Sequence, residues 1–334
     1  MTNPKRQDNT TGTISPLTIG GYAIVAVAFI VLVYSQYRLR FFTWDDSYIT
    51  FRHSLNMARG YGLVYNPGEN VDAITNYLLA WILGNGIRVG IDPEIFARWI
   101  GIISSWIVFF WTWHFARVRF NLSQLVAGAI ALMLGTSGMF ILESVGGLET
   151  SLFTLFVFWL LWEITSAKGS EISKNALIRA GVASGLAMLT RPDAAFFIAV
   201  VMLLLFDRKD FKTSIKRICI YMIPILILFL PYFINHWIFY GYPFPNSYYA
   251  KRIASSGLLV RGLSRLFSNL YDSGLVILFF LLVVVAAFRN SISGQKEYPQ
   301  RLIIIPLVGF FIARSLFIIL SGGSGWDGDG FSCR

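Results

Sequence analysis

Charge is scarce in this chain of 334 residues. Only 14% of positions are Asp, Glu, Lys or Arg, whereas 55% are hydrophobic. Ordinary soluble domains carry about 25% charged residues, so the composition excludes a soluble globular protein. Cysteine is nearly missing. Cys219 and Cys333 are too few for a disulfide framework, and they neither support nor exclude an oxidising compartment. No P-loop and no CxxC pair occurs. The chain also has no segment that reads as a soluble nucleotide-binding domain, which argues against a nucleotide-sugar donor.

What is abundant is long apolar runs. Windows at about Ile19–Gln36, Phe96–Phe115, Leu122–Leu142, Ser151–Thr165, Ala176–Phe206, Ile218–Tyr240, Gly274–Phe288 and Leu302–Leu320 approach or reach membrane length. A hydrocarbon core of about 30 Å needs about 20 apolar residues to cross. Backbone groups in lipid must be satisfied internally, so such windows predict helices. The fold class expected is all-α: a polytopic membrane protein of about nine transmembrane helices. Pro192 inside "TRPDA" breaks Ala176–Phe206 into a hairpin of two short helices. The stretch Ala73–Val89 stays outside as a juxtamembrane helix. The first window follows Lys5 and Arg6 and lacks a small-x-small cleavage site, so it reads as an uncleaved anchor.

The net charge of +10 is a topology signal. With a cytoplasmic N-terminus, more than half of the 28 basic residues fall in short inner loops, notably Arg208, Lys209, Lys212, Lys216 and Arg217. This places the protein in the plasma or inner membrane. The division expected is a cytoplasmic tail over 1–17, a transmembrane domain over 18–320 and an outer tail over 321–334. Residues 37–95 form a large first extracytoplasmic loop.

Two thirds of the 18 acids sort to the outer face. Asp45 and Asp46 stand together about ten residues beyond the first helix, among Trp44, Tyr48 and Phe51. Adjacent carboxylates raise each other's pKa, which suits one to act as a base near neutral pH, although a solvated helix cap has the same appearance. Glu149 sits between two apolar helices, where a charge is costly and points to function. With Asp45 and Asp46 it could offer oxygen ligands to a divalent cation such as magnesium or manganese; no cofactor is otherwise indicated. Asp46–Arg59 reads as a helix capped by Asp45 or Asp46, with Tyr48, Arg52 and Leu55 along one face. Gly60 or Gly62 ends it, and Asn66-Pro67-Gly68 turns the chain. Arg52 and His53 lie one to two turns from the acids, within reach of a phosphate.

These residues resemble a known family. "DDSYITFRHSLNMARGYGLVYNPGENVDAITN", Asp45 to Asn76, is similar to the first outer loop of bacterial GT-C glycosyltransferases, especially the mycobacterial terminal arabinofuranosyltransferase branch. "GGLETSLF" from Gly146, "LTRPDA" from Leu189 and "HWIFYGYPFPNSYYAK" from His236 resemble further family motifs in the same order. The family's "GERVEG" reads "GENVDA" here, and "SGGSGWDGDGFSCR" resembles an outer loop that has lost its usual aspartate. Because relatives continue with more helices, the resemblance implies a truncated chain.

The resemblance implies transfer of a sugar from a polyprenyl-phosphate donor to a glycan, lipid or protein acceptor of the cell envelope. It makes Asp45 or Asp46 the base, with Glu149 assisting. Arg52, Arg191 and Lys251 become candidates for the donor phosphate, because the leaving group is an anion. Trp44, Tyr48, His53, Asn246 and Tyr249 become candidates for the substrate. Two other functions fit the composition: a lipid or sugar transporter or flippase, and a non-catalytic envelope-assembly protein. Transporters show internal repeats and ionisable residues near the bilayer midplane, and this chain shows neither clearly. No nucleic-acid partner is expected.

Overall fold

A computed structural model describes residues 16–166, 172–243, 245–246, 260, 262–264, 266–268 and 301–321. Eleven helices and no strand are found among the described residues, in agreement with the all-α expectation. They are α1 (Pro16–Arg38), α2 (Asp45–Ala58), α3 (Tyr77–Arg88), α4 (Pro93–Val118), α5 (Gln124–Gly135), α6 (Gly138–Val145), α7 (Thr150–Ile164), α8 (Lys174–Thr190), α9 (Ala194–Leu205), α10 (Phe211–Tyr240) and α11 (Arg301–Ser321).

Local chemistry explains where they begin and end. Asp92 caps α4 by accepting from the Ile95 amide at 3.0 Å, and Pro93 follows at a position that needs no amide donor. Asp210 caps α10 through the Thr213 amide. Gly241 ends α10 in the left-handed region at φ 78°, where a side chain would be strained. The expected break at Pro192 is present: α8 stops at Thr190, Arg191 is extended, and α9 resumes at Ala194.

Another break was not expected. The window Leu122–Leu142 is two helices, α5 and α6, bent by 57°. Thr136 turns its hydroxyl back onto the Leu132 carbonyl at 2.7 Å, and Ser137 stands extended before α6. A hydroxyl that bonds its own helix competes with the ladder and favours such a stop.

Three described helices, α1, α4 and α10, are long and apolar enough to cross a membrane, and the bent α5–α6 pair makes a fourth. The apolar α7 and α9 hold 15 and 12 residues. At about 1.5 Å per residue neither spans a hydrocarbon core. The expected count of about nine therefore exceeds what these helices supply, and Gly274–Phe288 lies outside the described residues.

Close approach of small residues joins the long helices. The buried positions of α1 are Gly21, Val25, Ala28, Leu32 and Gln36, a single stripe. A Cβ on Gly21 would meet the Gln124 backbone at 2.6 Å, and one on Gly135 the Ala28 carbonyl at 2.9 Å. Gly181 and Gly185 of α8 do the same against α10, the former 2.3 Å from the Tyr221 carbonyl. Gln36 ties α1 to α4 and α6. Its amide donates to Ser105 and Ser144 at 2.9 and 2.8 Å and accepts from Trp106 at 2.8 Å.

The short α2 and α3 form a separate layer. Phe51, Leu79 and Leu83 bury against Ala97 near the start of α4. Gly84 lets α3 approach Met57 and the Ser54 carbonyl of α2. The segment between α1 and α4 thus contains a packed pair of helices that buries against the start of α4.

Candidate functional site

The paired acids open α2, but neither caps it. Trp44 takes the cap position, with φ −67° and ψ 139°, and Asp45 is the first helical residue. This corrects the cap expected from the sequence. The helix start is held by a distant turn, so no side-chain cap is needed. The Gly146 carbonyl accepts from the Trp44 amide at 3.0 Å and from the Ser47 hydroxyl at 2.8 Å. Gly146 must be glycine, because a Cβ there would lie 2.3 Å from the Trp44 indole. Gly147, at φ 81°, lies over Ser47 and Phe51.

Asp45 and Asp46 are consequently exposed on the first turn of a helix whose start is immobilised. Asp45 accepts from the Asp46 amide at 3.0 Å. Tyr48, one turn on, is half-exposed and donates to Glu94 at 3.3 Å. The Glu94 charge pushes the Tyr48 hydroxyl above its ordinary pKa. Glu94 also receives Thr43 and Arg98, each at 2.8 Å, which fixes the segment leading into α2.

Beneath that turn lies a buried polar network. The Thr50 hydroxyl and the Asn76 amide bond each other, and the same amide donates to Glu149 at 2.9 Å. The other Glu149 oxygen takes Arg191 at 2.7 Å, and Arg191 also reaches Asp193 at 3.1 Å. Glu149 and Asp193 are almost wholly buried, 6% and 4% exposed. Two residues assigned different tasks from the sequence are therefore partners of each other. Charges removed from water in this way need such pairing, and the loss of one partner is costly.

Glu143, an outer acid in the sequence with no site role assigned, lies close to Glu149, Arg191 and Thr150. Its Oε2 is buried and without a hydrogen-bond partner among the described residues. Three carboxylates thus surround one guanidinium. The available signal was an acid one position past an apolar window.

The remaining candidates scatter. Arg52 turns to the Tyr65 carbonyl at 3.1 Å. His53 is fully buried and donates from Nδ1 to the Ile49 carbonyl at 2.8 Å. Its Nε2 has no partner among the described residues, and burial holds its pKa below the ordinary value. Such a position separates it from any surface-bound substrate. The Asn246 amide donates to the Asp72 carbonyl at 3.0 Å. Tyr249 and Lys251 lie outside the described residues. No group of three or more His, Cys, Asp or Glu side chains among the described residues is placed to hold a metal ion, so Asp45, Asp46 and Glu149 do not form the cation site considered from sequence.

Residues 76–237 match a family model described as dolichyl-phosphate-mannose-protein mannosyltransferase. The matched segment is just under half of the chain and contains Glu149 and Arg191. It supports the GT-C superfamily for this protein. No curated protein and no solved structure matches the chain.

Proposed function

We propose that the protein is a membrane glycosyltransferase that moves a sugar from a polyprenyl-phosphate donor to a hydroxyl on an extracytoplasmic acceptor. The observation that carries this reading is the docking of the Asp45–Asp46 turn onto Gly146, directly above the Asn76–Glu149–Arg191 network. Residues far apart in the chain thereby present two carboxylates on a rigid surface. The match to a lipid-phosphate-dependent mannosyltransferase family supports the same chemistry.

In this reading Asp45 takes the proton from the acceptor hydroxyl as its oxygen attacks the anomeric carbon. The carbon–oxygen bond to phosphate breaks, and polyprenyl phosphate leaves as an anion. Arg52 and Lys251 are assigned to that anion, because Arg offers two parallel donors to phosphate. Arg191, committed to Glu149 and Asp193, is reassigned to holding the floor of the site. Glu149 is fixed rather than free, and its role is to hold Asn76 against Thr50 of α2. No step is routed through a metal ion.

The family description favours a mannosyl donor, whereas the loop motifs resemble enzymes of arabinofuranose transfer. Short-chain polyprenyl-phosphate mannose and arabinofuranose, offered to membranes containing the full chain, separate the two. Transfer from one donor that vanishes in Asp45→Asn is the expected result. Full activity in that variant removes Asp45 as the base, and donor translocation without a new glycosidic bond favours a flippase.

A further inference from the structure

A buried hydrogen bond joins the layer of α2 and α3 to the end of α10. The His236 Nε2 lies 2.7 Å from an Asp72 oxygen, with both side chains buried. A carboxylate only accepts, so Nε2 carries the proton. The other Asp72 oxygen takes the Ile74 amide at 3.2 Å. The Asp72 backbone carbonyl takes the amide of Asn246, itself exposed. Its neighbours repeat the pattern. Asn70 donates to the Phe239 carbonyl at 3.1 Å, Tyr240 donates to the Leu63 carbonyl, and Gly62 lies under the Phe239 ring.

Apart from the Asp72–Ile74 bond, each of these contacts connects residues 62–74, which are mostly without regular secondary structure, to residues 236–246. Asn76, four residues past Asp72, then grips Glu149. One extended segment therefore links the α10 end to the network beneath Asp45 and Asp46.

The chemistry of this junction differs from that of the helix seams. Small residues, apolar contact and one neutral hydrogen bond, Ser184 to Tyr221, hold α8 against α10, with no charged side chain at the closest approach. Where an irregular segment meets a helix end, apolar contact alone permits sliding, whereas a buried directional hydrogen bond to a carboxylate fixes one register.

We propose that Asp72 and His236 are positioning residues for the transfer reaction. They form a latch that holds the exposed Asn246 at a set distance from the start of α2. The proposal rests on the glycosyltransferase reading for its activity test but not for its structural one. A latch of this kind governs how the donor is seated, and the bond-making step at Asp45 proceeds once the donor is in place.

The test uses the full chain in detergent and compares His236→Phe with His236→Gln, whose amide nitrogen reproduces the Nε2 donor. Asp72→Asn serves as a second variant of nearly unchanged volume. His236→Phe is expected to raise the donor KM about tenfold with kcat within about threefold, and His236→Gln to recover most of the loss. Hydrogen exchange of peptides covering 69–76 and 241–246 is expected to accelerate in His236→Phe, with no change across the α1–α5 seam. Unchanged exchange in those peptides overturns the latch, whatever the activity. A kcat loss at constant KM in a folded variant overturns the positioning role. Should the wild type transfer from no lipid-phosphate sugar, the glycosyltransferase reading fails and the exchange result alone decides the latch.

Discussion

The α8–α10 seam and the junction beneath α2 solve the same problem with opposite means. In the seam, Gly181 and Gly185 bring two backbones together, apolar side chains such as Leu228 and Ile225 fill the contact, and one buried neutral hydrogen bond, Ser184 to Tyr221 at 2.7 Å, crosses it. Beneath α2, the close approach is made by Gly146 and Gly147, but the contact is built from Ser47, Thr50, Asn76, Glu149 and Arg191. Within lipid no hydrophobic driving force separates helix from helix, so shape governs packing. Where water competes for polar groups, a buried network of paired charges and hydrogen bonds holds irregular segments in one arrangement. The seam adds a single neutral hydrogen bond to its shape, whereas the junction beneath α2 is built from charged, directional bonds.

Substitutions that separate chemistry from scaffold sharpen this contrast. The largest effect is expected from Asp45→Asn: a fall in transfer rate of about 10²- to 10⁴-fold, the usual share of a positioned base. Its melting temperature should stay at the wild-type value, because the side chain is exposed and supports no packing. An equal loss of rate and of thermal stability would make the acid a structural cap.

Next comes Arg191→Ala, which leaves Glu149 and Asp193 buried without their cation. Breaking a buried pair from one side costs about 3–5 kcal/mol, readable by denaturation in detergent. Glu149→Gln keeps a partner for Asn76 and is expected to cost less. Equal losses would mean that the Arg191 contact carries little of the network's stability.

Gly181→Leu tests the seam. The added side chain meets the Tyr221 carbonyl and Pro224 and is expected to destabilise the fold by about 1–3 kcal/mol through overpacking. The exchange of peptides around Asp45 should hardly change, since the two regions do not share this contact. Faster exchange at both sites would show that the seam and the outer layer unfold together.

The smallest effect is a pH dependence. His53 is buried in its neutral form, and its folded pKa is lowered by burial. The unfolded chain therefore takes up a proton more readily than the folded one. Stability from this residue is fully present above about pH 6.5 and is lost as pH falls through the lowered folded value. His53→Asn should flatten the dependence of melting temperature on pH in that window; an unchanged slope assigns it to another group.

The legibility of the chain follows the range of the interactions. Helices α1, α4 and α10 announce themselves through apolar length, and the break at Pro192 through a missing amide. The turn at Asn66–Gly68 was equally readable, with Gly68 at φ 89° and Glu69 bonded back to Asn66. The stop at Thr136 was not readable, because a hydroxyl within an apolar run has several places to bond. The cap at Trp44 was hidden for another reason: its partner, the Gly146 carbonyl, is a hundred residues away and has no sequence identity of its own.

Single residues were legible as chemistry and illegible as partners. Asp45, Asp46, Glu149 and Arg191 stand out as charges that an apolar chain tolerates only for a reason. That Glu149 binds Arg191 and Asn76, that Glu143 joins them, and that Asp72 meets His236 follow from which helix ends come together. By itself the sequence determined the helical membrane class, the acids that stand out in an apolar chain and the short-range turns. These depend on composition and on neighbours a few residues apart. Only the tertiary structure decided which charges pair and which face outward, because a buried charge is stabilised by whatever lies across the gap, and separation along the chain does not measure that distance.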